Sequence, residues 1–487
     1  LKSNHLSMLW ISLSRLAQAL IGLLSLKVIT HWLPVEQFAK LGLITAFTGF
    51  FGLFLINPVG QYINRHTHEW YHTGSLISQL RKFNLYITIL AFLGFLTGII
   101  WGYTTSATCS SYSYIFMLGL GIGASIWIGT WNNTLIPLLN MLGLRIKSIN
   151  LAFLTVALGL AISILFVGIK QDALFWLYGQ LLGLSICSII AHRVLLKICD
   201  TSHALTSRFI EPNVIKAYCI PIAITAGLLW SLTSGYRFIV DSVWGPYNLG
   251  LLILGLGVAS QFWSVVEAIV SQIILPKYYQ QLSYGNRNYS IAAFNNMINT
   301  VFPIYVLMLG LGVSSCISLI SILVDPKYHS SIVFCQIAMF AEFFRASSSM
   351  LNQSAQIDKK MAAMLTPYLI ATIFAAIGLI MLLKSQSDFI YVPLILMSAL
   401  GITSVISLIS ASRRVTVKIN ITLLCSASLL SLLPISASRL LKASSLLGNI
   451  SILTLMAVIS LLSMAIILRY NRSFREIIST KLPHENH

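Results

Sequence analysis

The apolar residues of this chain fall in recurrent runs of about 20, the length an α-helix needs to cross a hydrocarbon core of about 30 Å. In lipid every backbone polar group must be satisfied within the fold, so such runs become helices rather than open sheets. Of 487 residues, 57% are hydrophobic and 9% charged, against about 45–50% and about 25% in soluble domains. So little charge cannot cover a water-facing surface. Soluble enzymes, nucleic-acid binders, secreted disulfide scaffolds and disordered chains are excluded, and the predicted fold class is all-α, a polytopic membrane protein.

Windows of about 19 residues predict fourteen spans: 8–30, 41–63, 84–103, 113–138, 149–169, 173–192, 214–240, 249–275, 296–323, 330–355, 363–383, 389–410, 419–436 and 446–468. No cleavable signal is expected, because the first run leads into the second without a small-residue cleavage site. With the N-terminus inside, the cytoplasmic segments, counting Lys216 at the inner edge of its span, carry 21 Lys and Arg and the outer loops 6. This is the bias of the positive-inside rule, and it puts both termini in the cytoplasm. The net charge of +18 is therefore spread along loops as a topology signal, with no nucleic-acid partner implied. No outer loop exceeds about ten residues on this span list, which leaves no room for an extracytoplasmic catalytic domain. The protein is expected not to be an enzyme.

Leu33-Pro34-Val35-Glu36-Gln37-Phe38-Ala39 follows the first span, and Trp244-Gly245-Pro246-Tyr247-Asn248-Leu249-Gly250 follows the seventh, 211 residues later. The recurrence fits two six-helix bundles in the same orientation. The expected organisation is 1–200, 205–412, and a terminal helix pair with a tail over 413–487.

Ionisable side chains at membrane depth are costly and face a cavity or a partner. Seven stand inside or near the ends of spans: Arg15, Lys27, Arg237, Asp241, Glu267, Glu342 and Arg345. Arg15, Gln18 and Gly22 share a helix face. Lys27 is near enough to a helix end to snorkel. Arg237 with Asp241 (i, i+4) and Glu342 with Arg345 (i, i+3) can pair within their helices. Glu267 has no basic neighbour on its own helix. It is either an unpaired carboxylate suited to H⁺ or Na⁺ coupling, or the partner of Arg15 or Arg237. Arginine is always charged and its planar fork fits phosphate, so an interior with three guanidinium groups favours an anionic substrate. Arg15, Gln18, Lys27, Arg237 and Arg345 are the expected substrate-binding residues, and Asp241, Glu267 and Glu342 the expected ion-coupling residues.

The remaining motifs imply no cofactor and no metal. His66, His68 and His72 lie beside Trp70 and Tyr71 in what reads as an amphipathic surface segment. Gly119 and Gly123 read as close helix packing, and Pro58, Pro221, Pro303 and Pro367 as kinks. Five of the seven cysteines fall within apolar runs and read as small buried hydrophobes.

The Ser12-Leu13-Ser14-Arg15 helix, the Leu33-Pro34-Val35-Glu36-Gln37-Phe38 turn and Asn57-Pro58-Val59-Gly60-Gln61-Tyr62-Ile63-Asn64-Arg65 resemble the multidrug/oligosaccharidyl-lipid/polysaccharide exporter superfamily. Within it, the chain resembles the O-antigen repeat-unit flippases over residues 1 to about 410. That resemblance implies a cavity between two bundles that opens alternately inward and outward in a bacterial inner membrane. Its cargo would be undecaprenyl-pyrophosphate-linked glycan, with membrane lipids and polysaccharide-assembly proteins as further partners. Lipid II flippases and multidrug cation extruders of the same superfamily are the alternatives. A surface-glycan polymerase or ligase is the alternative from another class.

Overall fold

The computed structural model describes residues 17–18, 21–105, 112–199, 212–283, 287–358, 364–385, 388–441 and 445–479, and among them the ordered elements are all helical. In chain order the principal helices are α1 (Ile21–Trp32), α2 (Val35–His72), α3 (Leu76–Thr105), α4 (Tyr112–Met141), α5 (Arg145–Ile169), α6 (Ala173–Ile198), α7 (Pro212–Trp230) and α8 (Tyr236–Ile273). They continue as α9 (Leu275–Ser283), α10 (Arg287–Leu323), α11 (Ile332–Asn352), α12 (Leu365–Ser385), α13 (Tyr391–Ser412), α14 (Ile421–Leu440), α15 (Leu446–Tyr470) and α16 (Arg472–Ser479).

Among the described residues, eleven helices are long and apolar enough to cross a membrane. One of them, Cys219–Ser271, holds two of the fourteen expected spans. It is broken at Gly245, where φ is 79° and ψ 167°, a conformation open to glycine and closed to most other residues. The break therefore falls at Gly245-Pro246 rather than at the interior prolines the sequence singles out. Helix α11 is not among the eleven, because Glu342, Arg345 and the serines at 347–349 dilute its apolar character. Of the first expected span, 8–30, the part from Ile21 on lies in α1, and residues 8–16 and 19–20 lie outside the described residues. Pro58 lies just after a π-helical stretch, Phe51–Ile56, and a second such stretch, Ser231–Gly235, joins α7 to α8. Widened turns of this kind re-satisfy backbone groups that a proline or a packing mismatch would strand.

Contacts divide the chain into two units, Leu1–Gly250 and Leu251–His487. In the first, small residues let helices touch backbone to backbone, the association mode available where lipid is as apolar as the side chains. Gly159 and Ser163 on α5 face Gly183 and Gly179 on α6. A Cβ at Gly183 would come within 2.4 Å of Gly159 N, and one at Gly179 within 2.4 Å of Ser163 Cα. Gly119 and Gly123 do the same for α3 and α4, their Cβ positions lying 2.9 Å from the carbonyls of Phe95 and Ala91. Helix α7 lies along α2, with Trp230 donating its indole N–H to the Ala46 carbonyl at 2.8 Å. Residues 212–250, read from sequence as the start of the second bundle, thus group by contacts with the first unit.

In the second unit α10 is the central rod, packed on α11, α14 and α15. Gly310 admits α14, since a Cβ there would meet the Ser431 carbonyl at 2.5 Å. Leu307, Ala427 and Ile467 bury the seam between α10 and the terminal pair. At one end Asn295 and Asn299 clamp the 416–420 segment. Their amides donate to the Thr416 and Lys418 carbonyls, and their oxygens accept from Lys418 and Asn420 N–H groups. The terminal pair, which the sequence sets apart at 413, is built into this unit.

Candidate functional site

The second unit gathers three of the expected charged residues into one cluster. Glu267 projects from α8, and Glu342 and Arg345 lie one turn apart on α11. Arg345 Nε donates to Glu342 Oε2 at 2.6 Å, while its Nη1 and Nη2 both face the Glu267 carboxylate, Nη1 at 3.5 Å from Oε1. The side chains of Arg345, Glu267 and Glu342 are 23%, 21% and 15% exposed, so the ion pairs are largely shielded from solvent. The acid-before-base order on α11 is the favourable one for a helical pair. Glu267 is therefore not the unpaired carboxylate considered from sequence. It pairs with Arg345, a contact between helices about 78 residues apart that spacing on one helix cannot reveal.

Three acidic oxygens thus meet one guanidinium, and with all groups ionised the cluster carries a net charge of −1. An incoming phosphate would have to displace a carboxylate to reach Arg345. Beside the cluster, Tyr305 is fully buried and packs edge-on against Trp263 at 5.4 Å. Its hydroxyl has no hydrogen-bond partner among the described residues and lies within electrostatic reach of Glu267 and Arg345. Tyr305 is not among the residues expected from the sequence, where its one signal is a hydroxyl set in an apolar helix.

In the first unit the expected Arg237–Asp241 pair does not form. Arg237 Nη1 donates to the Gly42 carbonyl of α2 at 2.9 Å, and its buried Nε has no partner among the described residues. Helical side chains tilt toward the N-terminus, so an arginine four residues before an aspartate leans away from it, the weaker order for a pair. Asp241 instead lies within electrostatic reach of Lys40, as does Asp172. Lys40 also sits 4.2 Å from the Tyr114 ring centroid. Asp172 caps α6 by accepting from Leu174 N–H at 2.9 Å. Lys40 falls just before the predicted span 41–63, in a loop, where nothing in the sequence marks it for a cluster.

Lys27 is exposed on α1, and it makes no ion pair among the described residues. Gln18 is half-buried in the helical turn at 17–18. Arg15 lies outside the described residues. The histidines of the amphipathic segment fall on α2, where His66 Nδ1 stands 2.9 Å from the Tyr62 carbonyl and its ring stacks on Trp70 at 5.6 Å.

No protein-family profile matches this chain, and no curated protein does. Solved structures do. The lipid II flippase MurJ in an inward closed conformation aligns with a TM-score of 0.67 at 13% identity, covering 94% of this chain and 98% of that one. An inward-facing multidrug resistance MATE family transporter of the MOP superfamily aligns with a TM-score of 0.53 at 16% identity, covering 88% and 96%. The eukaryotic MATE transporter AtDTX14 aligns at 0.51 and 13% identity, covering 88% and 95%. At such identities the likeness is one of fold: a polytopic helical membrane fold shared by flippases and multidrug transporters.

Proposed function

We propose that the protein is an alternating-access flippase of the inner membrane, with both termini cytoplasmic. Its cargo is an undecaprenyl-pyrophosphate-linked oligosaccharide, an O-antigen or similar polysaccharide repeat unit. The observation that carries this reading is the chain-length likeness to a lipid II flippase, higher in TM-score and coverage than the likeness to the MATE transporters. It favours a lipid-linked anionic cargo over a soluble cation.

The charged residues divide into two roles on this reading. Arg237, with no carboxylate paired to it among the described residues, is the anion ligand of the first unit, joined by Arg15, Gln18 and Lys27. Arg345, held by Glu267 and Glu342, is the switch of the second. An entering H⁺ or Na⁺ neutralises a carboxylate and frees one side of the guanidinium for the diphosphate. Asp241 performs the same service beside Lys40. Moving negative charge out of a negative interior releases about 2.3 kcal/mol per charge per 100 mV, so the membrane potential drives the loaded step.

The test uses full-length protein in proteoliposomes holding a fluorescent undecaprenyl-diphosphate oligosaccharide, with exposure read by an impermeant quencher. Wild type should equilibrate the lipid between leaflets, and Arg237→Gln should abolish this while remaining folded. Equal transport by Arg237→Gln would refute the assignment. The higher TM-score to a lipid II flippase also favours a second reading, lipid II itself as cargo, and a wild type that moves lipid II but not the oligosaccharide lipid would select it.

A further inference from the structure

The first unit carries a cavity of about 620 Å³ that the transport reading does not use, bounded by α3, α4 and α6 and lined by Asn84, Trp127, Trp131, Ser188, His192 and Arg193. Its back wall is held by hydrogen bonds. Asn84 Oδ1 accepts both indole N–H groups, from Trp127 at 3.2 Å and Trp131 at 2.9 Å. Behind them Asn132 Nδ2 donates to Ser188 Oγ at 3.3 Å and to the Leu184 carbonyl at 3.2 Å. One asparagine oxygen thus holds both indoles that line the cavity. His192 meets Trp131 edge-on at 6.2 Å.

Asn84 lies eight residues into α3, Trp131 ten residues before the end of α4 and His192 six before the end of α6. At about 1.5 Å per residue, all three sit roughly 9–15 Å from helix ends on the same side of the unit. That is the arginine-rich side, where Arg81, Lys82, Arg145, Lys147, Arg193 and Lys197 also lie. Trp131 lies toward the interface, where tryptophan is enriched, and Trp127 is one turn deeper, near the middle of α4. Arg193 and His192 are exposed at the mouth, and Arg193 has no partner among the described residues. The apolar side chains around it, Ile189 at 55% and Leu196 at 45%, are open as well.

We propose that this cavity binds one anionic glycerophospholipid of the arginine-rich leaflet. The phosphate sits on Arg193 and His192, the glycerol lies against the indoles, and the acyl chains run along the exposed face of α6. A volume of about 620 Å³ falls in the range of about 300–1,000 Å³ usual for small-molecule sites. Basic pockets between helices on the cytoplasmic side suit anionic headgroups. The proposal stands independently of the transported cargo.

Full-length protein is reconstituted in phosphatidylcholine vesicles doped with brominated phosphatidylglycerol or brominated phosphatidylcholine, and quenching of tryptophan fluorescence is compared. The expected result is stronger quenching by the brominated phosphatidylglycerol in wild type. The Trp127→Phe/Trp131→Phe variant should lose that preference, and Arg193→Gln should weaken it about fivefold, the contribution of one basic residue near a charged surface. Equal quenching by both lipids in wild type would reduce the cavity to ordinary lipid contact and overturn the proposal. A preference undiminished in either variant would overturn it too.

Discussion

Replacing Arg345 by glutamine leaves two carboxylates facing one another with no cation between them. Each has an oxygen within hydrogen-bonding reach of the same guanidinium, and all three side chains are at most 23% exposed. Removing one partner of a buried pair costs about 3–5 kcal/mol. With about a fifth of each side chain still open to solvent, we expect the lower end, about 3 kcal/mol. Glu267→Gln differs in sign of charge. It leaves the Arg345–Glu342 pair whole and an amide oxygen in place of a carboxylate, so the loss should be that of one hydrogen bond, about 1 kcal/mol. The double variant restores the original net charge of −1 with no unmatched carboxylate pair. It should therefore be less destabilised than the sum of the singles, by about 1–2 kcal/mol of coupling. Unfolding in mixed micelles, followed by tryptophan fluorescence, gives all three numbers, because Trp263 lies against Tyr305 beside the cluster. Should Arg345→Gln prove no less stable than Glu267→Gln, or the singles simply add, the three residues do not act as one electrostatic unit.

Gly183→Ala drives a methyl into the Gly159 backbone at 2.4 Å and should destabilise the first unit by about 1–3 kcal/mol. Gly257→Ala, with nothing within 4 Å, should leave stability unchanged or raise it by up to about 1 kcal/mol; the same micelle unfolding measures both. Gly245→Ala forces a side chain into a positive φ of 79° and should cost about 1 kcal/mol or more, read as a lower midpoint. Gly310→Leu pushes α14 off α10, where the gap to the Ser431 carbonyl is 2.5 Å. Limited proteolysis should then cut the 413–420 segment faster than in wild type, and an unchanged cleavage pattern would show that the asparagine clamp alone holds the pair.

The helical class and most of the span positions were legible in the residues because each follows from a local demand. A bilayer asks for about 20 apolar residues per crossing and for a backbone satisfied within the segment, and both can be met without knowing any neighbour. Gly119 and Gly123 were readable for the same reason, since a small residue on one face announces a close approach wherever the partner comes from. The Glu342–Arg345 pair was readable as well, from its spacing on one helix, but which charges meet between helices was not. Lipid and side chains are equally apolar, so hydropathy does not set how a helix is rotated about its axis. That rotation is decided by contacts such as Gly159 with Gly183 and Gly310 with Ser431, made between segments distant in the chain. Only after those approaches are in place does Glu267 turn toward Arg345, Arg237 toward the Gly42 carbonyl, and Asn84 toward two indoles. The list of ionisable residues at membrane depth belongs to the sequence. Their pairing from helix to helix belongs to the packing.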